Sequence, residues 1–163
     1  MNPIQVGLLG AGTVGGGVFT VLNRNQEEIE RRAGRGIEIS MVADLDAKRA
    51  QEIVKGRATI VSDAYAVIQD PNIEVVIELI GGYGIAKELV LAAIAKGKHV
   101  VTANKALIAV HGNEIFAAAR DRGVIVAFEA AVAGGMVLMR EDGERLVAKG
   151  ITSREELVRV TRD

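Results

Sequence analysis

The chain of 163 residues contains no cysteine and no tryptophan, and aromatic residues make up only 3% of it. The absence of cysteine excludes disulfides, thiolate metal ligands and a thiol nucleophile from the candidate chemistry. The scarcity of aromatic side chains disfavours the stacking surfaces that bind single-stranded nucleic acid. With 20 Lys and Arg against 21 Asp and Glu, the formal net charge is −1, so charge gives no reason to expect nucleic acid or an acidic membrane as a partner.

Long hydrophobic runs are also missing, because no apolar stretch reaches the roughly 18 residues of a membrane-spanning helix. The N-terminal residues do not have the pattern of a signal peptide. We therefore expect a cytoplasmic protein that does not bind membranes. The fractions of hydrophobic residues (49%) and charged residues (25%) are typical of a globular domain.

The most informative pattern that is present is Gly-x-Gly-x-x-Gly at Gly10, Gly12 and Gly15, directly after the apolar run Ile4–Leu9. A long amphipathic segment follows, and this order of strand, turn and helix is the context in which the motif binds a dinucleotide. In that motif the three glycines allow, in order, a tight turn, close approach of a pyrophosphate, and close packing of the helix on the strand. Glycine-rich turns also occur for purely steric reasons, so the motif by itself leaves both interpretations open.

Apolar runs alternate with helical patterns along the chain. The predicted strands are Ile4–Leu9, Ile37–Ala43, Ala58–Val61, Val75–Ile80, His99–Thr102 and Val124–Phe128. The predicted helices are Val14–Arg32, Ala47–Lys55, Tyr65–Ile68, Ile85–Ala95 and Ala106–Arg122, the last with a break at Gly112. This alternation predicts an α/β fold, a Rossmann-type doubly wound parallel sheet that binds its ligand at the carboxyl ends of the strands.

The pattern changes after residue 136. We predict a nucleotide-binding domain over residues 1–136 and a short helical tail over residues 137–163. A capping-box helix start is expected near Thr152 and Glu155.

Three segments together resemble homoserine dehydrogenase: Gly10–Val18, Gly97–Leu107 and Phe128–Gly135. The resemblance runs from about residue 4 to residue 136 and covers most of that family's nucleotide-binding domain. It implies reversible hydride transfer between NAD or NADP and the homoserine/aspartate 4-semialdehyde pair, a step in the synthesis of threonine and methionine. The family's substrate domain, with its catalytic Asp and Lys, is missing from this sequence, so we expect the chain alone to be a poor or inactive enzyme.

The resemblance also implies the site residues. It places Thr13 and Val14 against the pyrophosphate and Ile80 and Gly81 against the cofactor. A glycine turn with positive φ is an equally good explanation of Gly81.

Lys105 is the candidate catalytic residue, because the resemblance places its ammonium beside the nicotinamide and the substrate. A cation in the first turn of a helix opposes the helix dipole, so local structure gives little reason for a lysine there. An exposed solubilising lysine is the alternative. The neighbouring Asn104 is predicted either to orient this part of the site or to cap the helix.

The acidic residue that ends the second strand, Asp44, is the candidate for the adenosine ribose hydroxyls, although it lies about ten residues beyond the usual spacing. Many members of the family carry Arg before this Asp, where it suits the 2′-phosphate of NADP; here the residue is Ala43. Lys48 and Arg49 remain candidates for a phosphate. The balance slightly favours NAD.

Two further features follow from resemblance. Glu129, Val132, Gly134 and Met136 match the family's loop for a monovalent cation such as Na⁺, and a polar strand end with a glycine turn is the alternative. Residues 139–163 resemble the C-terminal tail of type II secretion and pilus-assembly ATPases, without a phosphate-binding lysine motif.

Two functional hypotheses remain at this point. The first is the nucleotide-binding domain of homoserine dehydrogenase, with a nicotinamide dinucleotide and a small amino acid as its ligands. The alternative is a non-catalytic NAD(H)-binding or redox-sensing module that acts through a partner. Because apolar surface that a second domain would cover is left open, self-association into a homo-oligomer is a further hypothesis.

Overall fold

A computed structural model describes residues 2–128 of the chain, and its centre is a six-stranded sheet in the order β3-β2-β1-β4-β5-β6. Every neighbouring pair of strands is parallel. The strands are β1 (Ile4–Leu9), β2 (Ile37–Ala43), β3 (Thr59–Val61), β4 (Val75–Glu78), β5 (His99–Thr102) and β6 (Val126–Phe128). The helices are α1 (Thr13–Arg24), α2 (Gln26–Ala33), α3 (Ala47–Val54), α4 (Ala64–Gln69), α5 (Gly84–Ala95) and α6 (Lys105–Arg122).

This strand order confirms the predicted Rossmann-type fold. It consists of two halves, β1–β3 and β4–β6, and successive strands are added in opposite directions on either side of the boundary between β1 and β4. One core cluster combines β1 and β2 with Phe19 of α1 and Val54 of α3, and the other combines the sheet with Ile68 of α4, Leu89 of α5 and Ile115 of α6. The sheet thus has helices on both faces, as its mostly apolar, β-branched strands require.

The single helix predicted for residues 14–32 is wrong, because the chain forms two helices that meet at Asn25. The side-chain amide of Asn25 donates to the carbonyl of Val21 at 2.9 Å, and that of Asn23 donates to the carbonyl of Phe19 at 2.8 Å. These side chains bond to carbonyls of the last turn of α1. Asparagine favours helix ends for this reason.

The break predicted at Gly112 is also wrong, since α6 runs unbroken from Lys105 to Arg122. A Cβ at Gly112 would lie 3.3 Å from the ring of Phe116 and 3.5 Å from a methyl group of Ile108. Gly112 is buried, so close packing rather than a turn accounts for this glycine.

Strand β4 ends at Glu78 instead of Ile80, because the N–H of Ile80 bonds to the carboxylate of Glu78 at 2.8 Å and not to a neighbouring strand. The other predicted boundaries agree within two residues. Within residues 2–128, no helix is both long enough and apolar enough to cross a membrane. The predicted domain boundary at residue 136 and the tail helix lie outside the described residues.

Candidate nucleotide-binding site

A cavity of about 490 Å³ opens at the carboxyl ends of the strands, beside the point where the two halves of the sheet meet. The loops that follow β1, β2, β3 and β4 enclose it. Its walls include Gly10, Gly12, Asp44, Leu45, Tyr65 and Ile80. A ligand of an open α/β sheet binds in this position.

The glycine turn forms one wall of the cavity. Gly10 has φ +94°, in a region that side chains rarely adopt, so the tight turn requires a glycine. A Cβ at Gly15 would lie only 2.1 Å from the carbonyl oxygen of Gly10, so α1 can pack on β1 only if this residue is glycine. At Gly12, in contrast, no atom of the described residues, its two chain neighbours aside, lies within 4 Å of such a Cβ. The open space above Gly12 suits a bulky anion.

The start of α1 faces this open space. Gly12 is the N-cap of the helix and, having no side chain, leaves the first-turn N–H groups of Thr13 and Val14 without a side-chain cap from that position. Both residues are exposed. Free N–H groups and the positive end of the helix dipole attract phosphate oxygens.

Asp44 connects the end of β2 to the glycine turn. Its carboxylate accepts a hydrogen bond from the N–H of Ala11 at 2.6 Å and another from the N–H of Asp46 at 2.8 Å. The guanidinium of Arg49 lies 3.2 Å from one carboxylate oxygen and 3.3 Å from the other. Burial raises the pKa of Asp44, but the two N–H groups and Arg49 outweigh this effect and hold the pKa below its usual value of 3.8.

Apolar side chains surround the part of the cavity beyond Asp44. Leu45 is 92% exposed, and Tyr65 and Ile85 are also exposed large hydrophobic residues. They give this end of the cavity walls suited to a flat aromatic base. Ile80 was predicted from the sequence and also lines the cavity. Leu45, in the loop after β2, and Tyr65, in the first turn of α4, were missed, although both follow the carboxyl ends of strands, where ligand contacts are expected.

A series of buried, hydrogen-bonded polar groups lies in the other half of the site. The side chain of Glu78, at the end of β4, is fully buried and accepts a hydrogen bond from the hydroxyl of Thr102 at 2.6 Å. The same hydroxyl oxygen accepts from the N–H of Asn104 at 3.0 Å. Glu78 and Thr102 were not among the predicted site residues. A carboxylate at the end of an apolar strand was the available signal for Glu78.

Asn104 caps α6, as one of its two predicted roles requires, and it also contacts the loop after β4. Its side-chain oxygen accepts from the N–H of Leu107 at 3.0 Å and so caps α6, while its amide donates to the carbonyl of Gly82. Gly81 and Gly82 both have positive φ, which confirms that this turn needs glycine. Asn104 therefore holds the loop after β4 against the start of α6.

Lys105 is the first residue of α6, next to this contact. It is exposed and has no ion pair with any residue between 2 and 128. Thus the structure brings Gly10, Gly12 and Asp44 to one cavity, and it places Gly81 in the adjoining loop and Asn104 and Lys105 at the start of α6. The predicted cation ligands Glu129, Val132, Gly134 and Met136 lie outside the described residues.

A doubly wound sheet with a glycine turn, an open helix start and an acid at the end of β2 defines a dinucleotide-binding Rossmann domain. Residues 10–129 match the family model "Homoserine dehydrogenase, NAD binding domain". The chain belongs to this family.

Individual relatives support the same family. The chain is 60% identical over 152 residues to the homoserine dehydrogenase of Pseudomonas aeruginosa, in a match that covers 93% of this chain and 34% of the relative. It is 52% identical over 153 residues to that of Neisseria gonorrhoeae, covering 94% and 35%. The crystal structure of a homoserine dehydrogenase from Thiobacillus denitrificans is similar, with a TM-score of 0.79 and 55% identity over 91% of this chain and 34% of that one. The chain therefore spans about a third of the length of these relatives.

Proposed function

We propose that this chain binds the nicotinamide dinucleotide for reversible hydride transfer between homoserine and aspartate 4-semialdehyde. The observation that carries the proposal is the 2.6 Å hydrogen bond between the N–H of Ala11 and the carboxylate of Asp44. This bond joins a turn suited to pyrophosphate and an acid suited to ribose at the edge of one cavity. The identity of the chain to homoserine dehydrogenases supports the substrate pair.

In this proposal the adenosine lies over the β1–β3 half, with its base near Leu45 and Tyr65 and its ribose near Asp44. The pyrophosphate lies over Gly12 and the start of α1. The nicotinamide then lies over the β4–β6 half, beside Ile80, Gly81, Asn104 and Lys105. When bound, the dinucleotide accepts or supplies the hydride. The exposed ammonium of Lys105 is placed to polarise the substrate carbonyl or to guide the accompanying proton.

The first expected result is binding without turnover. The purified 163-residue chain should bind NAD⁺ or NADP⁺ in a calorimetric titration, but should form no reduced nicotinamide when homoserine is added. Hydride transfer needs the substrate held within reacting distance, and this chain corresponds to only about a third of its relatives. Homoserine oxidation by the chain alone would contradict the second part, and failure to bind either dinucleotide would contradict the proposal itself.

A chimera tests the reaction directly. Joining this chain to the remaining two thirds of the Pseudomonas relative should give homoserine-dependent formation of reduced nicotinamide. In the chimera, Lys105→Ala should lower the rate by about 100-fold, the low end of the effect of losing a group that guides proton transfer. Lys105→Arg keeps the positive charge, so comparing it with Lys105→Ala separates the effect of the charge from that of the amine itself. A folded chimera that binds the dinucleotide and stays inactive would favour a sensing module instead.

The choice between the two dinucleotides is proposed to favour NAD. The carboxylate of Asp44 accepts ribose hydroxyls and repels a 2′-phosphate, while Arg49 partly offsets that repulsion from 3.2 Å away. Arg49→Ala should therefore weaken NADP⁺ binding by roughly threefold to tenfold, the loss expected for one exposed charge-assisted contact, with less effect on NAD⁺. Titration with both dinucleotides checks this result. Lys48→Ala removes a neighbouring cation that does not line the cavity, and equal changes in both variants would refute the role of Arg49.

Four finer assignments complete the proposal. A small amino acid is the second ligand of the full-length enzyme, and Na⁺ binds through Glu129 and the carbonyls of Val132, Gly134 and Met136. The protein is proposed to act in the cytoplasm, where nicotinamide dinucleotides are available. Self-association into a homo-oligomer is checked by light scattering over a range of concentrations, and a strict monomer would contradict it.

A further inference from the structure

Glu78 is an acidic residue at a position in the sheet that is usually occupied by an apolar residue. It ends β4, the strand that pairs with β1 at the centre of the sheet, and its exposed fraction is 0%. Central parallel strands are usually apolar because both faces are covered. A carboxylate buried there costs free energy unless every oxygen is hydrogen-bonded. Packing alone therefore does not account for Glu78.

The hydrogen bonds around Glu78 indicate whether its carboxyl group is protonated or ionised. One oxygen accepts from the N–H of Ile80 at 2.8 Å, and the other accepts from the hydroxyl of Thr102 at 2.6 Å. The Thr102 oxygen already accepts from the N–H of Asn104, so its own proton points at Glu78. A protonated Glu78 would direct its proton at this oxygen and leave the Thr102 proton without an acceptor. The pattern is complete only with an ionised carboxylate.

The same bonds place the charge between two loops of the site. The bond to Ile80 fixes the start of the loop that continues into Gly81 and Gly82. Thr102, which donates to Glu78, also accepts from the N–H of Asn104 and so fixes that residue. The side-chain amide of Asn104 in turn donates to the carbonyl of Gly82. Glu78 thus holds both loops that flank the nicotinamide in the proposed function, and it does so without reaching the cavity surface.

We propose that Glu78 is a positioning residue whose buried negative charge makes the site bind the oxidised dinucleotide in preference to the reduced one. This inference rests on the proposed function. The nicotinamide ring carries a positive charge in NAD⁺ and none in NADH. A fixed charge inside the protein acts on a nearby charge more strongly than it would in water. The carboxylate therefore stabilises bound NAD⁺ and leaves bound NADH almost unaffected.

The test compares the dissociation constants of NAD⁺ and NADH for the 163-residue chain and for Glu78→Gln. Glutamine has nearly the same shape without the charge. We expect the preference for NAD⁺ over NADH to fall by roughly fivefold to tenfold, because the charge of Glu78 acts through a poorly screened interior. Affinity for ADP-ribose, which lacks the nicotinamide, should stay within twofold of that of the unaltered chain.

Glu74→Gln is the matched control, because Glu74 precedes the same strand at its opposite end and pairs with Arg35 at 2.9 Å. It makes the same change in net charge and should leave the NAD⁺/NADH ratio unaltered. If Glu78→Gln does not fold, Glu78→Leu combined with Thr102→Val supplies a second uncharged version, in which no Thr102 hydroxyl is left facing an apolar side chain. The same fall in the ratio is expected there.

The results distinguish a failure of the proposed function from a failure of the role assigned to Glu78. If the unaltered chain binds neither NAD⁺ nor NADH, the proposed function fails. If it binds both, and the uncharged variants weaken both equally or change neither, the role of Glu78 is structural only and this inference is overturned.

Discussion

A single methyl group added at Gly15 is expected to weaken dinucleotide binding at least tenfold and to destabilise the domain by about 2 kcal/mol, as overpacking of a close contact does. The added Cβ would lie 2.1 Å from the carbonyl oxygen of Gly10 and 3.1 Å from its carbonyl carbon. These are backbone atoms, so no side-chain rotation relieves the clash. Either α1 moves away from β1 or the glycine turn opens, and both changes displace the N–H groups that face the pyrophosphate.

Gly17→Ala provides the control for Gly15→Ala, because it makes the same chemical change two residues further along α1. Apart from its chain neighbours and the nearby backbone of α1, no atom of residues 2–128 lies within 4 Å of a Cβ at Gly17. Since alanine favours a helix over glycine by about 1 kcal/mol, this variant should be neutral or more stable. Urea unfolding and calorimetric titration with NAD⁺ measure both effects. Equal unfolding free energies and equal NAD⁺ affinities of the two variants would show that the close contact between Gly15 and Gly10 is not needed for stability or binding.

Removing the charge of Asp44 is the second change with a large expected effect. Asp44→Asn should lower the free energy of unfolding at neutral pH by about 2 kcal/mol, the order expected when a charged hydrogen-bond acceptor is lost. Asparagine has one oxygen in place of two, so it cannot accept from both Ala11 and Asp46. Because the bond to Ala11 holds the glycine turn, affinity for NAD⁺ should fall as well.

The effect of Asp44→Asn should depend on pH. Because the pKa of Asp44 in the folded protein lies below its usual value of 3.8, the carboxylate stabilises the fold fully above that value. The stabilisation is lost as the pH falls below 3.8 and through the folded-state pKa. The difference in unfolding free energy between the two proteins should therefore be large at neutral pH and shrink in acid. A difference that stays constant across this range would contradict the role of the charge.

Local patterns predicted much of the fold. The glycine turn, β1, β2 and β5 depend on short stretches of sequence, and the alternation of strands and helices was sufficient to predict a doubly wound parallel sheet. The helix break at Asn25 was missed because its side-chain amide competes with the backbone, an effect that apolar periodicity does not report. Gly112 was interpreted as a break because a sequence does not show that the ring of Phe116 occupies the space of its side chain.

Candidate site residues could be predicted where their position relative to a strand indicates a ligand contact. They were missed where the contact depends on residues far apart in the sequence. Asp44 could be identified from its place at the end of β2, but its hydrogen bond to Ala11 joins residues 33 apart in sequence. Glu78 and Thr102 are 24 residues apart and come together only because β4 and β5 are neighbours in register. The chemistry of each residue is visible in the sequence, whereas their contact depends on the completed sheet.

The most direct test of the account is an amide NMR titration of the ¹⁵N-labelled chain with NAD⁺. We expect chemical-shift changes at the carboxyl edge of the sheet, in the turn from Gly10 to Gly15, at Asp44, in the loop from Ile80 to Gly82 and at Lys105. Amides at the opposite edge, such as those of Gly36 and Gly97, should not change. Shifts confined to that opposite edge, or none at saturating NAD⁺ and NADP⁺, would contradict the assignment of this cavity to the dinucleotide.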